Sequence, residues 1–183
     1  MRAQRALRLD EGRWRDVGPA SFWPALGIAT VASFAWSLNR FGGALVDEPR
    51  SFVRLGLLGI YGWIGLAVAI WAIAAVVADD ARALDEKPPS VLHSVAVVGL
   101  AHMPVVGLGG VVFIAANLAQ VLGPGYVAAV FVLGLWFPAV LVAAAHHSFR
   151  LSIGRAALAA LIPYLLWLLA IGSHLLGRIQ HLL

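Results

Sequence analysis

The sequence predicts an all-α integral membrane protein of five transmembrane helices, with the N-terminus inside and the C-terminus outside. Three observations carry that prediction. The stretch 88–149, between Lys87 and Arg150, contains no Asp, Glu, Lys or Arg. As one helix it would be roughly 90 Å long, about three times the hydrocarbon thickness of a bilayer, so it must fold back on itself. The strong breaker in its middle is Gly123-Pro124-Gly125, which reads as a very short turn between two spans. Composition is the second observation. The 183 residues are 61% hydrophobic and 12% charged, with a mean hydropathy of +0.88, where soluble domains carry about 25% charged residues. Third, the alternation of a membrane β-barrel is absent, so backbone donors in lipid must be satisfied within helices.

By length the chain is one domain. Residues 1–18 read as a basic cytoplasmic segment and 19–183 as a single five-helix transmembrane domain, with spans at about 22–38, 55–78, 91–122, 126–145 and 156–176. The first segment carries Arg2, Arg5, Arg8, Arg13 and Arg15, and Leu7, Trp14 and Ala3 suggest one apolar stripe of a surface helix. It makes a poor signal peptide, being long, partly acidic and followed by no small-residue cleavage site. The first span holds Pro24 in its opening turn, where proline costs little, and Trp23 and Trp36 near its ends, as interfacial aromatics do. A polar loop with Gly42-Gly43, Asp47, Glu48 and Pro49 follows. The second span carries Gly56, Gly59, Gly62 and Gly65, a glycine at every third position, which lets a neighbouring helix approach closely. The acids of the next loop, Asp79, Asp80, Asp85 and Glu86, do not follow an EF-hand spacing and read as solvated.

Pro88-Pro89 launches the third span, which exceeds what a bilayer needs and must tilt or kink, with Pro104 the kink site. The fourth ends at His146-His147, and the fifth holds Pro163. Basic residues gather at the N-terminus, at Arg82 and Lys87, and at Arg150 and Arg155. The opposite side has only Arg40, Arg50, Arg54 and Arg178, and this bias sets the orientation. The pI of about 10.3 reflects these flanks beside apolar runs rather than a nucleic-acid surface. With no Cys there is no disulfide or thiolate chemistry. Rich Ala, Gly, Leu, Val and Arg with a single Lys point to a prokaryotic source, hence to an inner, cytoplasmic membrane.

An ionisable residue inside a span is a functional candidate. His102 lies about 11 residues into the third span, roughly 16 Å deep and close to the midplane. The structural reading is a neutral imidazole donating to a carbonyl freed by Pro104, or to Asn117, Ser or Thr. The sharper reading is a cofactor-binding residue, the single axial ligand of a tetrapyrrole pigment. A bis-histidine haem fits poorly, because His93, His146, His147 and His174 fall at span ends and match His102 in depth nowhere. Asn117 and Gln120 share a helix face and suit interhelical hydrogen bonds. No nucleotide loop, HExxH or Ser/His/Asp arrangement is visible and no paired carboxylates lie within the spans, so neither an enzyme nor a metal site is expected.

Trp136, an aliphatic run, Ala145-His146-His147-Ser148-Phe149 and then Arg155-Ala156-Ala157 before a last apolar segment form a recognisable ending. With Val98-Gly99-Leu100-Ala101-His102-Met103-Pro104 and Pro19-Ala20-Ser21-Phe22, this ending resembles the five-span domain of the Yip (Ypt-interacting protein) family, over residues 19–176. The sequence departs from that pattern at His102 and His147 and in the polar loop before the third span. The resemblance implies a non-enzymatic multi-spanning protein. In eukaryotes the family works in vesicle traffic with small GTPases and other family members; a prokaryotic relative would organise membrane or assemble with another membrane complex.

The expectation is therefore a membrane scaffold or adaptor acting through helix–helix association, without a cofactor. Its partners would be lipid, further copies of itself or other membrane-protein subunits, and not nucleic acid. The alternatives are an accessory subunit of a pigment-binding or electron-transfer complex with His102 as ligand, and a small transporter or proton path through His102, Asn117 and Gln120.

Overall fold

The computed structural model describes residues 14, 17, 19–41, 49–78, 89–103, 106 and 124–180, leaving out the side chains of 19, 35–41, 124–131, 133 and 171–180. The class is all-helical, with no strand among the described residues. After a 3-10 turn at Pro19–Ser21 come α1 (Phe22–Phe41), α2 (Pro49–Val77), α3 (Val91–Ala101), α4 (Pro124–Phe149) and α5 (Ile153–Gln180). Among the described residues two helical stretches are long and apolar enough to cross a membrane, Pro49–Val77 and Ile153–Ala170, with mean hydropathies of 2.2 and 1.8. Phe22–Phe34 and Val91–Ala101 are apolar but shorter.

Proline chemistry accounts for most of the differences from the predicted boundaries. Helix α2 starts at Pro49, because proline at a first helical position loses no hydrogen bond, and it takes in Arg50 and Arg54, which the expected 55–78 span left in the loop. The same rule corrects the expected turn: Pro124 and Gly125 are the opening residues of α4, while Gly123 lies outside the described residues. Of the expected 91–122 span the described residues are 91–103 and 106, and the rest lies outside them. At His102 the α-helix is interrupted, its N–H turning to the Gly99 carbonyl three residues back at 3.2 Å, while Met103 is again helical and the Val106 N–H donates to the His102 carbonyl at 3.1 Å. The interruption falls two residues before Pro104, the expected kink site.

Helices α2 and α3 form an antiparallel centre. The Trp63 indole N–H donates to the Val95 carbonyl at 3.2 Å, and the Ser94 hydroxyl to the Ala67 carbonyl at 2.8 Å. Helix α1 packs against both. On the other side α4 lies along α3 and α5 along α2. Helices α4 and α5 are joined by only three residues, 150–152, a corner tight enough to put Arg150 at φ 54°, the left-handed conformation in which helices commonly end.

The glycine row serves two neighbours. A Cβ at Gly56 would sit 2.5 Å from the Phe34 ring, and one at Gly59 2.7 Å from the Ser33 side chain, both on α1. One at Gly62 would sit 2.6 Å from the Trp167 indole nitrogen on α5, and one at Gly65 meets nothing within 4 Å. Steps of three residues fall about 60° short of a full turn, so four glycines so spaced cannot share one face. Three of the four glycines thus lie at close approach to a neighbouring helix, and the row does not form a single exposed contact surface.

Pro138 was not singled out by sequence. Inside α4 it removes the donor that would have bonded the Gly134 carbonyl. The Tyr164 hydroxyl on α5 reaches that carbonyl at 3.4 Å, so the neighbouring helix satisfies what the proline frees.

Candidate functional site

His102 stands where α3 ends, against α4. Its Nδ1–H donates to the Val98 carbonyl one turn back at 2.8 Å, and its ring lies on Phe137 with centroids 4.7 Å apart. A carbonyl only accepts, so the proton is on Nδ1 and the lone pair on Nε2. That is the arrangement in which a histidine can ligate a metal centre, the second nitrogen being anchored by a carbonyl. It is equally what an imidazole does when it satisfies itself within its own helix. No group of three or more His, Cys, Asp or Glu side chains converges among the described residues. Asn117 and Gln120, the proposed neighbours of His102 in a proton path, lie outside the described residues, as does the side chain of His174.

His146 and His147 occupy the last turn of α4, their rings 4.6 Å apart. The His146 Nδ1–H donates to the Leu151 carbonyl across the three-residue corner, closing the turn into α5.

Around this corner the structure assembles a cluster that the sequence did not announce. Trp14 is only 3% exposed and Val17 is buried, so Trp14 belongs to the core rather than to the apolar stripe of a surface helix. The Ser148 hydroxyl donates to the Trp14 carbonyl at 3.2 Å, and the His93 Nδ1–H to the Val17 carbonyl at 2.6 Å. His93 also stands edge-on to Phe149, with ring centroids 6.2 Å apart. The ends of α3 and α4 thus strap the N-terminal segment down through its backbone. The His93 Nε2 is buried and has no hydrogen-bond partner among the described residues. Separations of 76 and 134 residues hide these pairs from local pattern reading. The available signal was an apolar pair, Trp14 and Val17, inside a charged run.

Removing the strap should loosen the segment measurably. In His93→Phe and Ser148→Ala each lost bond is worth about 1 kcal/mol, or roughly fivefold in the open population. Trypsin cleavage after Arg15 should accelerate by that factor in each variant and further in the double variant. Unchanged cleavage would show that the two bonds do not hold the segment.

Comparison of the chain with known protein families, with curated proteins and with solved structures finds no match.

Proposed function

We propose that this is a non-enzymatic five-span membrane protein, Yip-like in plan, that acts as a scaffold or adaptor by lateral helix–helix association in a prokaryotic cytoplasmic membrane. The observation that carries the reading is where side chains of different size lie. Helix contacts are lined by Ala25, Ala29, Ala67, Ala96, Ala101 and Ala160, all buried, together with the close-approach glycines. Many bulky aliphatics face outward, while Leu66, Ile70, Val98 and Leu141 fill the core. Leu158, Ile162, Leu165, Leu166 and Leu169 form one helical stripe on α5, with Leu169 69% exposed. In water such a surface would cost folding and solubility. In lipid the arrangement is the favourable one, because helices associate through close packing of small residues while large apolar groups meet acyl chains.

Since Gly56, Gly59 and Gly62 are occupied within the bundle, the α5 stripe is the face offered to a partner helix or a second copy. The anchoring of the His102 Nδ1 to the Val98 carbonyl favours a second reading, an accessory subunit holding a single-ligand tetrapyrrole.

One purification in mild detergent separates these readings. The scaffold reading expects a colourless assembly heavier than a monomer, reduced in mass by Leu165→Ser with Leu169→Ser. A monomer rejects it, and a visible absorption band lost in His102→Ala supports the pigment reading instead. The absence of native Cys makes orientation easy to test. An impermeant maleimide on intact cells should label Ala44→Cys and spare Ala81→Cys.

A further inference from the structure

The first three turns of α2 are graded along one face. Arg50 and Arg54, one turn apart and both exposed, stand at the helix start. Val53, Leu57 and Leu58 follow, and Tyr61, 68% exposed, lies deepest. At about 100° per residue these six positions fall within about 140° of the helix circumference. They line an open groove of about 550 Å³, a volume in the range of small-molecule sites, about 300–1,000 Å³. Arg50 to Tyr61 covers roughly 16 Å of helix, close to the thickness of one hydrocarbon leaflet, about 15 Å.

We propose that this groove binds one anionic glycerophospholipid. The Arg50 and Arg54 guanidinium groups hold the phosphate, and an acyl chain runs over Val53, Leu57 and Leu58 to Tyr61. The assignment rests on α2 spanning the bilayer, as proposed above. Charge complementarity selects the occupant. Two guanidinium forks match phosphate oxygens in geometry as well as charge, and a lipid without a compensating cation leaves that attraction undiluted. A second copy fits less well. A twofold axis along the membrane normal would bring its Arg50 and Arg54 to the same depth, cation against cation. Free phosphate would leave the apolar two-thirds of the groove unused.

The test uses the full chain, delipidated in mild detergent and titrated with dioleoyl-phosphatidylglycerol or dioleoyl-phosphatidylcholine, with bound lipid and assembly mass read by native mass spectrometry. One phosphatidylglycerol per chain should bind about tenfold more tightly than phosphatidylcholine, given two cations at the headgroup level. Arg50→Gln with Arg54→Gln should erase the preference, and Arg50→Lys with Arg54→Lys, which keeps the charges but not the forks, should keep part of it while showing that exchange at these exposed sites leaves the fold intact. Equal binding of the two lipids overturns the proposal, as does an unchanged preference in the Gln pair. Glycerol phosphate binding as tightly as the whole lipid overturns the acyl-chain part. A Gln pair that changes assembly mass, with no lipid preference in the parent chain, overturns it in favour of a contact between copies. A monomer that prefers phosphatidylglycerol supports the lipid site and rejects only the scaffold reading.

Discussion

Gly99→Leu is expected to unseat α1 from the centre of the bundle and to cost about 3 kcal/mol or more. A single Cβ at this position would lie 2.8 Å from the Ala25 Cβ, 2.9 Å from the Ala25 carbonyl oxygen and 2.9 Å from Cζ2 of Trp63. Two of these neighbours cannot yield easily. The carbonyl belongs to the α1 backbone, and the Trp63 side chain is fully enclosed, at 1% exposure. Inserting even one or two carbons into a well-packed core costs about 1–3 kcal/mol, and leucine adds four. Reversible unfolding in detergent–SDS mixtures measures the loss. Gly65→Leu is the control, because nothing lies within 4 Å of its Cβ position. There the change should be neutral or stabilising by up to about 1 kcal/mol, through helix propensity. If both variants unfolded at the same SDS fraction, α1 would not be seated on Gly99.

Trp63→Ala attacks the same junction from the opposite side, and a loss of about 3–5 kcal/mol is expected. The indole is the largest of the fully buried side chains among the described residues and is held by its N–H to the Val95 carbonyl at 3.2 Å. Truncation forfeits both the dispersion contacts of the ring and that interhelical bond. Trp63→Phe separates the two, since it keeps most of the volume and should lose only about 1 kcal/mol. Because Trp63 touches the Gly99 position, the two changes should not add. Leucine at 99 occupies part of the space the indole vacates, so the double variant should lose less than the sum of the single losses. Strict additivity would mean that the two residues do not share this packing site.

Much of this architecture was readable from local pattern. Among the described residues, five helices lie within or across the apolar segments, and two of them are long and apolar enough to cross a membrane. Proline positions are readable as well, once taken as helix openers: Pro49 and Pro124 both begin helices, where local pattern alone suggests a loop and a turn. At Gly56, Gly59 and Gly62 the spacing flagged close approach without naming the neighbours, because which helix each glycine meets depends on an angular drift accumulated over three turns. His102 was picked out as an ionisable group in an apolar run, and its bond to Val98 lies within one turn. His93, Ser148 and Tyr164 were not, since the partner of each lies on another element.

What the amino-acid order settled was the helical class, because hydropathy, proline geometry and helix period act over a few residues. Three-dimensional packing settled which helix lies against which, the strapping of Trp14 and Val17 beneath α3 and α4, and the supply of a Tyr164 hydroxyl to the carbonyl that Pro138 frees. Those outcomes join groups 30 to 134 residues apart. They arise because a buried donor or acceptor must find a partner wherever the fold brings one within reach, and no short window of sequence contains that information.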